Sequence, residues 1–281
     1  MKFFLKKIKT FFNRGLIKFL FSFNAGRFLI DKIIEVILCE KKKISHNNIN
    51  LEFCSPNRMN FYRIETFSTK EPDTLNWIDD FKKEKVFWDI GANIGLYSCY
   101  AAKKIGCKVY SFEPSVFNLE ILTRNININS LTDKITIIPF PISENQSFKS
   151  FYITTKVWGG AFSNYGESKD HHGKILPKNF NYKTVGFSID QLVEQLNFER
   201  PNYIKIDVDG IEHLILKGST NTLKDVETIL IEVNENYNEQ SEKVSQYLIS
   251  SGFKLKQKKQ IQIKENSVSL PFFYNQIWIK K

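Results

Sequence analysis

The 281-residue chain has only four cysteines and four histidines. Cys39, Cys54, Cys99 and Cys107 form no CxxC pair and do not group with histidine. Neither a disulfide framework nor a thiolate metal site is therefore indicated, and the thiols read as reduced, buried side chains of a cytoplasmic protein. No apolar run approaches the ~18 residues that a membrane span requires. There is no internal repeat and no low-complexity segment. A hydrophobic share of 42% argues against disorder. The crowded GxGxxG turn of dinucleotide-binding folds is missing. So is the Asn/Asp-Pro-Pro-aromatic turn that holds a base amine.

What is present is unevenly placed. Residues 1–43 hold eleven Lys/Arg against three Asp/Glu, whereas the remaining 238 residues are nearly balanced. A nearly neutral body presents no broad phosphate-binding face, so a nucleic-acid partner is not expected. In the basic N-terminus, Phe4, Ile8, Phe11, Phe12, Phe19 and Phe23 fall on one helical face, with Lys2, Lys6, Lys7, Arg14 and Lys18 on the other. Arg14 and Lys18 interrupt any signal-peptide core. Two placements fit this stripe: peripheral contact of residues 1–24 with the anionic inner face of a membrane, or docking on the protein's own body.

The chain divides into a basic amphipathic helical extension (1–45), a lead-in hairpin and helix (46–84) and a main domain (85–281). A second helix is expected at 26–40, closed by Lys41–Lys43, and the lead-in hairpin between Leu51 and Phe67. Strands are expected at 86–90, 108–112, 135–139, 203–208 and 227–233. Helices are expected at 95–105, 115–128, 211–217 and 240–251. Such alternation calls for a parallel sheet covered by helices on both faces. Two β-rich runs close the chain as a hairpin with one antiparallel strand. Residues 140–202 exceed a minimal crossover and read as an insertion on the substrate side, with a hairpin turning near Gly159-Gly160. His171-His172 in that insertion reads as solvated loop rather than a zinc site.

Three stretches carry the chemistry. Asp89-Ile-Gly91-Ala-Asn93-Ile-Gly95 sits at a strand-to-helix bend, where glycine permits tight turning and the helix start offers free N–H groups. Glu113, in "VYSFEPS", ends the next strand, where a carboxylate can accept from both hydroxyls of a ribose. Asp89 and the GxxxG spacing disfavour a diphosphate and favour a cationic methionine moiety, so S-adenosylmethionine is preferred to a nicotinamide dinucleotide. In "KIDVDGIEH", Asp207 and Asp209 share a strand face, with Glu212 and His213 one turn on. Asp209 or His213 is a candidate base for deprotonating a hydroxyl, with Glu212 orienting it. Glu232 ends the following strand, and Asp207, Asp209 and Glu232 also offer oxygen ligands to Mg²⁺, which the spacing does not require.

"FWDIGANIGLYS", "VYSFEPS", "YIKIDVDGIEHLILKG" and "ILIEVN" resemble, in order and spacing, the FkbM-type S-adenosylmethionine-dependent methyltransferases, over roughly Lys85 to Lys254. The resemblance implies a class I methyltransferase fold, a Rossmann-like seven-strand sheet, mostly parallel with its last strand antiparallel. It places Asp89, Gly91, Ala92, Asn93, Gly95, Glu113 and Asp207 around the cofactor. It further implies O-methylation of a hydroxyl, on a sugar of a bacterial surface polysaccharide or glycoconjugate. Asp209 stands where the family pattern usually has Glu. The alternatives are an NAD(P)-dependent oxidoreductase and a non-catalytic adaptor tethered by the N-terminal helix.

Overall fold

The computed structural model describes residues 14–166, 180–261 and 272–281. Residues 14–21 are helical (α1) and are followed by α2 (Asn24–Cys39). A two-stranded hairpin comes next, β1 (Lys41–His46) and β2 (Ile49–Cys54). The hairpin thus lies upstream of its expected place, and Lys41–Lys43 open a strand instead of closing a helix. Its turn is Asn47-Asn48, both at positive φ (46° and 64°), the pairing that a two-residue turn between twisted strands demands. The segment expected to hold the hairpin instead continues into α3 (Arg58–Glu65), α4 (Phe67–Lys70) and α5 (Pro72–Asp79). Asn57 starts α3 as its cap, its side chain accepting from the Asn60 amide.

The main domain runs β3 (Val86–Ile90), α6 (Leu96–Lys104), β4 (Lys108–Phe112), α7 (Val116–Ile128) and β5 (Ile135–Ile138). An insertion follows with β6 (Ser147–Tyr152), β7 (Asn164–Tyr165) and β8 (Asn181–Gly186), which form a small antiparallel sheet. The chain then continues through α8 (Ile189–Glu194), β9 (Tyr203–Ile206), α9 (Glu212–Lys217), β10 (Thr228–Asn234), α10 (Asn238–Ser250), β11 (Phe253–Gln260) and β12 (Phe273–Lys280). Seven strands make one sheet in the order β11-β12-β10-β9-β3-β4-β5. β3, β4, β5, β9 and β10 are parallel, and β12 runs antiparallel to both of its neighbours.

Alternation along the strands splits the core into two layers. Trp88, Ile90, Tyr110, Phe112, Ile204 and Ile206 pack on one face with Leu192, Ile215 and Leu248. Phe87, Val109, Tyr203 and Leu230 pack on the other with Trp77, Tyr100 and Leu122. The same period sends Asp89 and Lys205, which share the parity of Phe87 and Tyr203, to the second face. The lead-in segment docks there too. Phe81 stacks on Tyr203 with ring centroids 4.0 Å apart, and the buried Asn125 of α7 accepts from the Cys54 amide at 2.7 Å.

Candidate active site

The bend after β3 is tight because β9 ends against it. Gly91 has φ +88°, and a Cβ there would stand 1.9 Å from the Asp207 carbonyl oxygen. Gly91 therefore serves the crossing of two strand ends. Gly95, at φ +82°, caps α6, and a Cβ on it would meet Leu122 at 2.4 Å. Asp89 lies beneath the bend. Its Oδ2 accepts from Ser98 Oγ at 2.5 Å, and Ser111 Oγ donates to Ser98 Oγ at 2.7 Å. Burial raises its pKa despite the nearby Lys205 ammonium.

A cavity of about 410 Å³ opens at the carboxyl ends of β3, β4, β9 and β10, within the range of ~300–1,000 Å³ typical of small-molecule sites. Gly91, Asn93, Glu113, Asp207, Asp209 and Glu232 line it. Ala92 lines a smaller annex beside it, together with Tyr97 and Lys205. Asp89, Gly95, Glu212 and His213 line neither. Glu212 is buried, with Oε1 accepting from the Gly210 amide at 3.0 Å and Oε2 accepting from Gln240 Nε2.

Glu113 is held rigidly. Its Oε2 accepts from the Asn93 amide at 2.8 Å and its Oε1 from the Ser115 amide at 2.7 Å. The Asn118 side chain bonds it as well, which leaves part of its acceptor capacity for a ligand hydroxyl. Burial pushes its pKa up to about 7, against the pull of those two amides. Asp209 is likewise raised to about 7, by burial and by Asp207, and its Oδ2 accepts from the Phe162 amide at 2.7 Å. Glu232 rises well above the ordinary range through burial and the proximity of Asp207.

Several lining residues were not legible in the sequence. Met59, Tyr62, Arg63 and Lys70 come from α3 and α4, and Phe140, Pro141 and Ile142 from the turn after β5. In the annex, Lys205 is almost fully buried, with its Nζ 2.7 Å from Asp207 Oδ2. Glu71 opposes it: burial works against ionisation there, but Lys70 and Lys205 outweigh it and lower the pKa to about 2. The one available signal was Lys205 itself, a lysine inside an otherwise apolar strand. Part of the insertion roofs the cavity: the Gly160 carbonyl accepts from Asn93 Nδ2 at 2.8 Å and from Asn118 Nδ2 at 3.1 Å. His171-His172 lies outside the described residues. Among the described residues, no group of three His, Cys, Asp or Glu side chains is arranged to hold a metal ion.

Seven strands in this order with one reversed, and a glycine bend facing a carboxylate at the next strand end, define the Rossmann-like fold of class I methyltransferases. A family model described as "Methyltransferase FkbM domain" matches residues 89–255, more than half of the chain, and the chain belongs to that family. It is 29% identical over 161 residues to the hexuronic acid methyltransferase AglP of Haloferax volcanii. That match covers 56% of this chain and 59% of AglP, less than two thirds of the relative's length. Among solved structures, it is similar to a precorrin-6y C5,15-methyltransferase from Geobacter metallireducens GS-15, with TM-score 0.45, 14% identity, and 75% and 87% of the two chains covered. It is also similar to M. jannaschii TYW2 in complex with AdoMet, with TM-score 0.42, 14% identity, and 86% and 87% covered.

Proposed function

We propose that the protein is an S-adenosylmethionine-dependent O-methyltransferase whose acceptor is a hydroxyl of a sugar, in a surface polysaccharide or glycoconjugate that includes uronic acid. The observation that carries this reading is one cavity lined both by Glu113 at the end of β4 and by Asp207 and Asp209 after β9. Its residues suit the cofactor. Glu113 has acceptor capacity to spare for a ribose hydroxyl, Phe140 and Ile142 offer apolar walls for a base, and Asn93 Oδ1 is buried without a partner among the described residues. The name of the relative AglP supports a uronic-type sugar.

When bound, S-adenosylmethionine supplies an electrophilic methyl group on a sulfonium. The chain's own part is positioning and proton removal. Orienting the two reactants can lower the barrier by up to ~7–11 kcal/mol. Asp209, titrating at about 7 in a site roofed by the Gly159-Gly160 segment, is the base that takes the hydroxyl proton. Glu212, on α9 beside it, accepts from the Gly210 amide and from Gln240 of α10 and so fixes the turn that carries Asp209. The reading needs no Mg²⁺, and turnover should survive EDTA. The basic N-terminal region holds the enzyme against the inner leaflet, close to membrane-bound glycan assembly.

Calorimetry with S-adenosylmethionine tests the cofactor. Glu113→Ala should weaken binding by roughly 1.5–3 kcal/mol, the scale of a lost charge-assisted pair. Unchanged affinity in a folded variant contradicts the assignment. Mass spectrometry of surface glycans with and without the gene should show a loss of one methyl per acceptor.

A further inference from the structure

Arg63 is the cation of the cavity that methyl transfer leaves unassigned. It sits on α3, outside the residues the family model matches, and lines both the cavity and the annex. Its Nε donates to the Gly159 carbonyl at 2.8 Å. Among the described residues that is its one hydrogen bond, and no carboxylate is ion-paired with it. Its two terminal amino groups therefore present four N–H donors without a protein acceptor.

The neighbouring cations are committed. Lys70 Nζ lies 3.0 Å from Glu71 Oε1, and Lys205 Nζ lies 2.7 Å from Asp207 Oδ2. Arg63 is thus the cation lining the cavity that has no ion pair among the described residues. In an open cavity, water would satisfy the guanidinium. A ligand that displaces that water must bring paired anionic oxygens or leave the donors stranded. A doubly charged phosphate would overshoot one guanidinium and meet the acidic side chains that line the same cavity, whereas a singly charged carboxylate matches both the charge and the planar fork.

We infer that Arg63, flanked by Lys70, forms a carboxylate-binding subsite in this cavity. The inference rests on the methyl-transfer reading, which supplies two sources of carboxylate: the methionine tail of the cofactor and a uronic acid acceptor.

Calorimetry on wild type and Arg63→Gln separates them, using S-adenosylmethionine, its decarboxylated form, and glucuronate and glucose in the presence of S-adenosylhomocysteine. A loss of ~10-fold or more for S-adenosylmethionine, with none for the decarboxylated form, assigns the subsite to the cofactor tail. A similar loss for glucuronate, with none for glucose, assigns it to the acceptor. If Arg63→Gln changes neither, or glucuronate binds wild type no better than glucose while cofactor affinity is unaltered, the inference is overturned. Should Arg63→Gln fail to fold, Arg63→Lys keeps the charge, loses the fork and is read on the same four ligands. Arg58→Gln, exposed on the same helix, should change nothing. Wild type that fails to bind S-adenosylmethionine at all would sink the methyl-transfer reading. Binding that is insensitive at Arg63 sinks only the subsite.

Discussion

At the residue scale the decisive feature is how burial sets the protonation of the carboxyls. Asp209 titrates at about 7, so its ionised fraction grows as pH rises through that value. As the base, it should make kcat at saturating cofactor climb through about pH 7 and then level. Asp209→Asn should flatten that limb and lower kcat by ~10²–10⁴-fold, with cofactor affinity nearly unchanged; a retained limb would move the base elsewhere. Glu212 shows the same upward shift, to about 7, but lines neither the cavity nor its annex, so its effect is on stability. A carboxyl whose folded pKa is raised stabilises fully below its ordinary value, and that contribution is lost as pH rises to about 7. Glu71, lowered to about 2, acts in the opposite sense: its contribution is present above the ordinary value and lost only in strong acid. Thermal stability should therefore fall between about pH 5 and pH 8. Glu212→Gln should shrink that fall, because an amide does not titrate, and a half-turn of the Gln240 amide lets its Oε1 accept from the new one. A slope unchanged in Glu212→Gln would remove Glu212 as the cause.

At the scale of elements, the parallel core was readable and its approaches were not. β3 and β4 fall on the expected 86–90 and 108–112, because each is a compact run of strand-forming residues bounded by turn or helix signals. The hairpin escaped because three consecutive lysines look like the end of a helix. In the structure Lys43 pairs with Glu52 across the two-stranded ribbon, and Lys42 reaches Glu65 at the end of α3. Glu113, Asp207 and Asp209 were legible from motif spacing, and the cavity wall from α3 and α4 was not, since only tertiary docking brings Arg63 and Lys70 there. The hairpin that precedes α3 is docked by two asparagines one turn apart, Asn125 on α7 and Asn129 at its C-cap. Asn125 Oδ1 accepts from the Cys54 amide at 2.7 Å while its Nδ2 donates to the Ile94 carbonyl at 2.7 Å. Asn129 Oδ1 accepts from the Glu52 amide at 3.0 Å and its Nδ2 donates to the Glu52 carbonyl at 2.7 Å. Asn125→Ala would strand a buried donor and a buried acceptor, at ~1–3 kcal/mol each. Its urea midpoint should drop accordingly, and a shift below ~0.5 kcal/mol would show that the hairpin docks by apolar contact alone.

At the scale of the whole molecule, charge and exposed apolar surface coincide at the N-terminus. Phe4, Ile8, Phe11 and Phe12 lie outside the described residues, whereas α1 and α2 lie within them. Phe19, Phe28 and Val36 are 64%, 64% and 65% exposed, and α2 buries only Gly26, where a Cβ would lie 2.1 Å from the Leu20 carbonyl oxygen. The two helices are thus closely apposed at Gly26, and their apolar side chains are left uncovered. No helix among the described residues is long and apolar enough to cross a membrane. Apolar faces beside a region with eleven Lys/Arg and three Asp/Glu suit the surface of an anionic bilayer. Each basic residue near such a surface contributes about 1 kcal/mol, screened over ~8 Å at physiological salt. The protein should co-sediment with vesicles containing phosphatidylglycerol and not with pure phosphatidylcholine, and added salt should release it. Deleting residues 1–24 should weaken binding by removing charge, whereas Phe28→Asp with Val36→Asp should weaken it by removing insertion, and neither should alter cofactor affinity. Binding that ignores both the lipid charge and the salt would leave apolar contact as the sole attraction. If instead the deleted protein precipitates or loses the cofactor, the N-terminal stripe belongs to the protein's own core, and the membrane has no part in it.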